Sequence, residues 1–230
     1  MRIRERPSPN FGPRAEGIDM LVLHYTGMKT AAEALERLCA PASQVSAHYL
    51  VDEDGTIWRL VAEEHRAWHA GISSWRGRSD VNGASIGIEL VNPGHEWGYR
   101  PFPEPQMAAL EALCRDILAR HPILPRHVLG HSDVAPRRKQ DPGELFDWPR
   151  LARAGIGLFP AASASDTIAD VQRLLAAIGY AVPASGRLDD ETALVLAAFQ
   201  RHFRPSRCDG VADAETRGRI AAVAASCGEI

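Results

Sequence analysis

The chain has 230 residues, of which 45% are hydrophobic and 24% charged, with a formal net charge of −3. That length accommodates one substantial core and a smaller second one, and the lack of a dense Lys/Arg stripe excludes the electrostatic footprint of a nucleic-acid binder. No apolar run is long enough to span a bilayer, and MRIRERPSPN carries charge with no apolar run behind it. It does not read as a secretory leader, so a cytoplasmic protein is expected, with periplasm or cell envelope as the alternative.

Taken in chain order, DMLVLHY from Asp19 to Tyr25 is an apolar run of strand length, followed by AAEALERLC from Ala31, which has helical periodicity. SAHYLVD from Ser46, TIWRLV from Thr56 and ASIGIELV from Ala84 repeat the strand character. EPQMAALEALCRDILAR from Glu104 places Met107, Leu110, Leu113, Cys114, Ile117 and Leu118 on one helical stripe, with Pro105 near its start and Pro122 beyond its end. The expected class is α/β, a central sheet flanked by helices. After FDWPRLARAGIGLFP, the small polar stretch AASASD reads as a linker. Expected boundaries are 1–158, a linker at 159–166, and a second domain at 167–230.

The C-terminal part echoes itself. Gly186/Gly210, Asp189/Asp213, Glu191/Glu215 and Thr192/Thr216 share one spacing of 24 residues. Each set is a glycine turn, an Asp suited to cap a helix, and an acid facing the positive end of the helix dipole. With Val171, Leu174, Leu175 and Ile178, then Leu196, Phe199 and Phe203, then Ile220 and Val223, three helices around a small core are predicted. Cys39, Cys114, Cys208 and Cys227 are scattered with no CxxC pair, so reduced thiols are expected.

His24 ends a buried-looking strand, and His131, Asp133 and Asp141 lie in GHSDVAPRRKQDPG, which has two prolines and no helical period and reads as a loop. Two histidines and a carboxylate with a fourth position open are suitable donors for a catalytic zinc, although loop histidines are more often surface residues. His65 and His69 are four apart but lack the HExxH order, and their Trp and Gly neighbours suit a cleft-lining loop better than a helix. In SIGIEL, Ile86, Ile88 and Leu90 share one strand face while Gly87 and Glu89 share the other. An acid on so apolar an element has either a partner, such as Arg76 or Arg78, or a task as general base. Lys139, two residues before Asp141, is either a solvated charge or an oxyanion stabiliser.

Five segments, VLHYTG at Val22, AHYLVDEDG at Ala47, AWHAG at Ala67, SIGIELVNPG at Ser85 and GHSDVAPRRKQDPG at Gly130, together resemble the type 2 N-acetylmuramoyl-L-alanine amidases, relatives of the peptidoglycan recognition proteins. The resemblance implies a mixed central sheet flanked by helices. It also implies one Zn2+ per chain on His24, His131 and Asp141, and a catalytic pair in Glu89 and Lys139. The implied reaction is hydrolysis of the amide between N-acetylmuramic acid, or its anhydro form, and L-alanine in peptidoglycan or muropeptides. Trp68, His69, Arg78 and Asn82 are weaker candidates for gripping the substrate. Residues 167 to 225 resemble the three-helix peptidoglycan-binding domain often appended to wall hydrolases, with SRCDG departing from the apolar residue often found before the second DG. A non-catalytic recognition module is the rival class, disfavoured by the complete donor set. The C-terminal domain favours polymeric wall and the absent leader favours recycled fragments; a monomer is the default expectation.

Overall fold

The computed structural model describes residues 3–162 and 171–228, so 163–166 of the expected linker and 167–170 of the expected second domain lie outside the described residues. The strands are β1 (Ile3–Glu5), β2 (Phe11–Pro13), β3 (Met20–Tyr25), β4 (Tyr49–Val51), β5 (Ile57–Arg59), β6 (His65–Ala67), β7 (Ser85–Leu90) and β8 (Val128–Gly130). The α-helices are α1 (Ala31–Cys39), α2 (Val81–Ala84), α3 (Gly94–Trp97), α4 (Glu104–Arg120), α5 (His131–Val134), α6 (Trp148–Arg153), α7 (Val171–Ile178), α8 (Asp190–Phe203) and α9 (Ala214–Ser226). No helix among the described residues is long and apolar enough to cross a membrane.

Six strands form one mixed sheet in the order β1-β5-β4-β7-β3-β8, with β2 and β6 paired apart from it. All neighbours in the large sheet are parallel except β4 and β5, which run antiparallel as the short DEDG connection between them requires. The mixed sheet flanked by helices agrees with the sequence expectation. Strand alternation sends Leu21, Leu23, Ile86, Ile88 and Leu90 to the face covered by α4, whose Met107, Leu110, Leu113, Cys114 and Ile117 are all buried there.

Met20 and Val22 of β3 and Leu129 of β8 point to the opposite face, and their cover comes from the C-terminal helices. Val171, Leu175 and Ile178 of α7, Leu196, Phe199 and Phe203 of α8, and Ile220 and Val223 of α9 belong to the same buried cluster as Met20, Val22, Val81, Ala84 and Val134. The three helices share a core, as the sequence predicts, and that core is continuous with the underside of the sheet. A sheet apolar on both faces needs two covering layers, and the three C-terminal helices supply the second.

The internal echo is structural. Asp189 accepts from Thr192 N–H and Asp213 from Thr216 N–H, each capping its helix as the glycine-turn pattern predicted. The sequence reading missed a second half of the device. Gln172 accepts from Gly186 N–H and donates to Thr192 Oγ1, while Gln200 accepts from Gly210 N–H and donates to Thr216 Oγ1. Cys39, Cys114, Cys208 and Cys227 form no disulfide among the described residues.

Two local expectations change. GHSD, read as loop, forms the one-turn helix α5, because the Asp133 carboxylate accepts the Gly130 N–H at its start. His65, read as part of a loop, lies in β6 with its ring stacked on Phe11, while His69 follows in a loop that lines the cleft, in agreement with the reading against a helical metal pair.

Candidate metal centre and active site

Strands β7, β3 and β8 are adjacent and parallel, so their carboxyl ends meet at one edge, where open α/β sheets place their ligands. His24 is the penultimate residue of β3 and pairs in register with Glu89 of β7. His131 follows directly on β8 as the first residue of α5. Asp141 is brought back to it by the bond from Ser132 N–H to the Asp141 carbonyl, 2.9 Å. Three segments far apart in the chain thus deliver their side chains to one buried spot: His24 Nδ1 lies 2.9 Å from His131 Nδ1 and 3.1 Å from Asp141 Oδ2, and His131 Nδ1 lies 3.0 Å from that oxygen.

The surrounding hydrogen bonds assign where the ring protons sit. Ser85 donates its hydroxyl to the Val81 carbonyl, so its oxygen accepts from His69 Nε2, 3.2 Å away. His69 Nδ1 must then accept, and His24 Nε2–H donates to it across 3.0 Å. That leaves His24 Nδ1 with a lone pair. His131 Nε2–H donates to the Ala70 carbonyl at 3.0 Å, which commits its other nitrogen in the neutral ring to the same lone-pair role.

Two imidazole lone pairs and a carboxylate converge, and one proton bridges only two of the three. A cation satisfies all of them, and imidazole with carboxylate is a donor set suited to zinc. The electrostatics agree. Burial and the neighbouring His131 push the His24 pKa down to about 4, and burial drives that of His69 well below its ordinary value, so both rings are neutral near pH 7. Burial opposes ionisation of Asp141, yet His131 and His24 hold its carboxyl far below the ordinary carboxylate range.

Two of the three donors, His131 and Asp141, line an open cleft of about 620 Å³ together with His69, Trp68, Glu89 and Lys139. Among the described residues Glu89 has no arginine partner: Arg78 pairs with Asp19 and Glu16 at 2.6 Å each, and Arg76 donates to the Ala177 carbonyl. Its Oε2 is buried without a hydrogen-bond partner, and burial and the charge of Asp141 raise its proton affinity well above that of an ordinary glutamate, against the pull of Lys139.

Of the weaker candidates, Trp68 and His69 line the cleft, but His69 is spent on His24 and Ser85 and works behind the donor set. Arg78 and Asn82 are not in the lining. The Asn82 side chain accepts the His69 and Ala70 N–H groups and fastens the loop that carries them. Sequence reasoning did not identify Arg138, which donates to Ala70 O at 3.1 Å and lines the cleft, or Tyr25 and Arg37 on the same wall. It also passed over Gly87 as a packing site. A Cβ there would collide with the His69 ring, and a glycine inside a strand is the signal of such an approach.

Comparison with known proteins places these features in a family. The sequence model for "N-acetylmuramoyl-L-alanine amidase" matches residues 14–144, and one for a peptidoglycan binding domain matches 164–220. The chain is 42% identical over 226 residues to the N-acetylmuramoyl-L-alanine amidase AmiD of Escherichia coli, a match covering 87% of this chain and 80% of the relative. It is 33% identical over 167 residues to the 1,6-anhydro-N-acetylmuramyl-L-alanine amidase AmpD of Haemophilus influenzae, covering 64% and 89%. The structure of E. coli AmiD in complex with the substrate anhydro-N-acetylmuramic acid-L-Ala-D-gamma-Glu-L-Lys superposes with a TM-score of 0.83 at 39% identity, covering 95% of this chain and 94% of the other. AmpDh3 from Pseudomonas aeruginosa gives 0.82 at 36%, covering 96% and 95%. With more than half of its length matched by the family model and a relative of such identity along most of the chain, this protein belongs to the N-acetylmuramoyl-L-alanine amidase family.

Proposed function

We propose that the chain hydrolyses the amide between N-acetylmuramic acid, or its anhydro form, and the L-alanine of the stem peptide, with one Zn2+ held by His24, His131 and Asp141. The single observation that carries this reading is the meeting of three inward lone-pair donors with a half-buried carboxylate whose buried Oε2 has no hydrogen-bond partner among the described residues. The AmiD complex, solved with an anhydro-muramyl tripeptide, supports the substrate class. Residues 1–158 act as the catalytic domain and 167–230 as a peptidoglycan-binding domain joined through 159–166, a division supported by the two family matches.

Zinc, when bound, supplies Lewis acidity for the carbonyl and lowers the pKa of a coordinated water. The chain's own residues do the rest. Glu89, whose Oε2 has no hydrogen-bond partner among the described residues and whose proton affinity is raised, takes the proton of the attacking water and passes it to the alanine nitrogen as the amide breaks. The Lys139 ammonium, on the same cleft wall, steadies the negative charge on the former carbonyl oxygen. His69 and the Ala70 carbonyl hold the two ligand rings in the tautomer that binds metal.

The test is mass spectrometry of products from soluble anhydro-muropeptide and from isolated sacculi, with and without a chelator. Free stem peptide beginning in L-alanine is expected, and it should vanish with the chelator. Cleavage inside the peptide or the glycan, or no product from either substrate, overturns the reading. A second expected result concerns Gly87→Ala: a methyl group there pushes the His69 ring away from His24, so zinc affinity measured by chelator competition should fall about 10-fold or more. Wild-type affinity in that variant removes His69 from the metal site's support.

A further inference from the structure

Asp133 belongs to the GHSD segment yet has no place among the three donors, and it is completely buried. Its Oδ2 accepts from Gly130 N–H at 2.8 Å, the residue just before ligand His131. The same oxygen lies 2.7 Å from His202 Nδ1, and Oδ1 accepts the Tyr180 hydroxyl at 2.6 Å. Tyr180 follows α7 and His202 lies in the last turn of α8, so two of the three partners of this carboxylate come from the C-terminal helices.

Both partners are themselves held in place. The His202 ring is stacked between Trp148 and Phe203, with centroids 3.6 and 3.9 Å away, and Tyr180 packs edge-on against Trp75 at 5.1 Å. Gly130 has little room to adjust, because a Cβ built on it would already press on Pro142 and Trp148. Helix α5 is a single turn, too short to hold its own conformation by backbone bonding alone. Its start is held by the Asp133 carboxylate, and the carboxylate is held from the other half of the molecule.

We infer that Tyr180 and His202 are positioning residues for the metal centre: through Asp133 they fix the turn that presents His131, so the C-terminal helices complete the active site in addition to any hold on the wall. This rests on the metal-site reading above. It differs from simple domain docking in one respect. Docking is served by any contact across the shared cluster, Val134 of α5 included, whereas positioning runs through the hydrogen bonds of this carboxylate.

Three full-length variants separate the two: Tyr180→Phe, His202→Gln, and Val223→Ala as a control that loosens the same apolar cluster without touching Asp133. Zinc affinity is read by chelator competition, kcat and KM on a soluble anhydro-muropeptide that needs no wall binding, and amide hydrogen exchange over 128–135 in metal-free protein. Tyr180→Phe and His202→Gln are expected to lose about 10-fold in zinc affinity, to lower kcat with KM held, and to lose exchange protection at Gly130. Val223→Ala should lower Tm and leave zinc affinity unchanged. Wild-type affinity and protection in Tyr180→Phe, or equal losses in Val223→Ala, overturn the inference. A wild-type protein that binds no zinc would instead sink the metal-site reading, and the metal-free exchange data would still judge the link from Tyr180 to the His131 turn. Should His202→Gln fail to fold, Tyr180→Phe decides, since it removes a single oxygen.

Discussion

Glu89→Gln is expected to lower kcat on anhydro-muropeptide by about 10²- to 10⁴-fold, the usual contribution of a positioned acid–base group, while zinc content stays at one per chain. Glutamine keeps the shape of the side chain and removes its basicity. Among the described residues Oε2 has no hydrogen-bond partner, and burial and Asp141 disfavour the charge while only the Lys139 ammonium favours it. Removing a charge that burial penalises costs the fold little, so Tm should hold or rise. Loss of activity with a stability gain is the signature of a residue kept for chemistry. Turnover near that of the wild type, with zinc retained, would take the general-base role away from Glu89.

The other large effect is expected from His131→Ala. This change removes one of the three lone pairs and also the donor to the Ala70 carbonyl, leaving His24 and Asp141 to share one proton between them. Two remaining donors do not make a closed site, so zinc should be lost on dialysis and turnover should drop at least as far as in Glu89→Gln. The fold has an independent measure. A ligand that binds only the native state stabilises it by RT ln(1 + [L]/Kd), about 2.7 kcal/mol at a hundredfold excess over Kd. Wild-type Tm should therefore climb with added Zn2+, and the His131→Ala curve should stay flat at the metal-free value. A zinc-dependent rise of wild-type size in the variant would mean that the ion sits elsewhere.

The helices α1 and α4 and the six-residue strands β3 and β7 were legible because each carries enough residues to display a period, and the three-residue strands β4 and β5 because they sit inside the longer apolar runs SAHYLVD and TIWRLV. Strands β1, β2, β6 and β8 lie in no such run, and their pairing is chosen by tertiary hydrogen bonds. At the site, the donor types His24, His131 and Asp141 could be named from the sequence, and so could the odd position of Glu89 on its strand. Their convergence could not. It follows from β3, β7 and β8 being neighbours, which no local spacing encodes. Arg78 and Asn82 show the same limit from the other side: both are polar residues near a cleft motif, and only the fold reveals that one is spent on Asp19 and Glu16 and the other on a loop backbone. The shared cluster was invisible for a further reason. An apolar stripe on a helix declares that it will be buried, never against what.

That shared cluster also bears on how freely such enzymes can be recombined. A cell-wall hydrolase assembled from beads on a string can trade its anchoring module for another by a cut in the connecting segment. Here the same cut would lay bare Met20, Val22 and Leu129 on the underside of the catalytic sheet, an oily surface inviting aggregation. Any graft must therefore bring along side chains that fit this particular sheet.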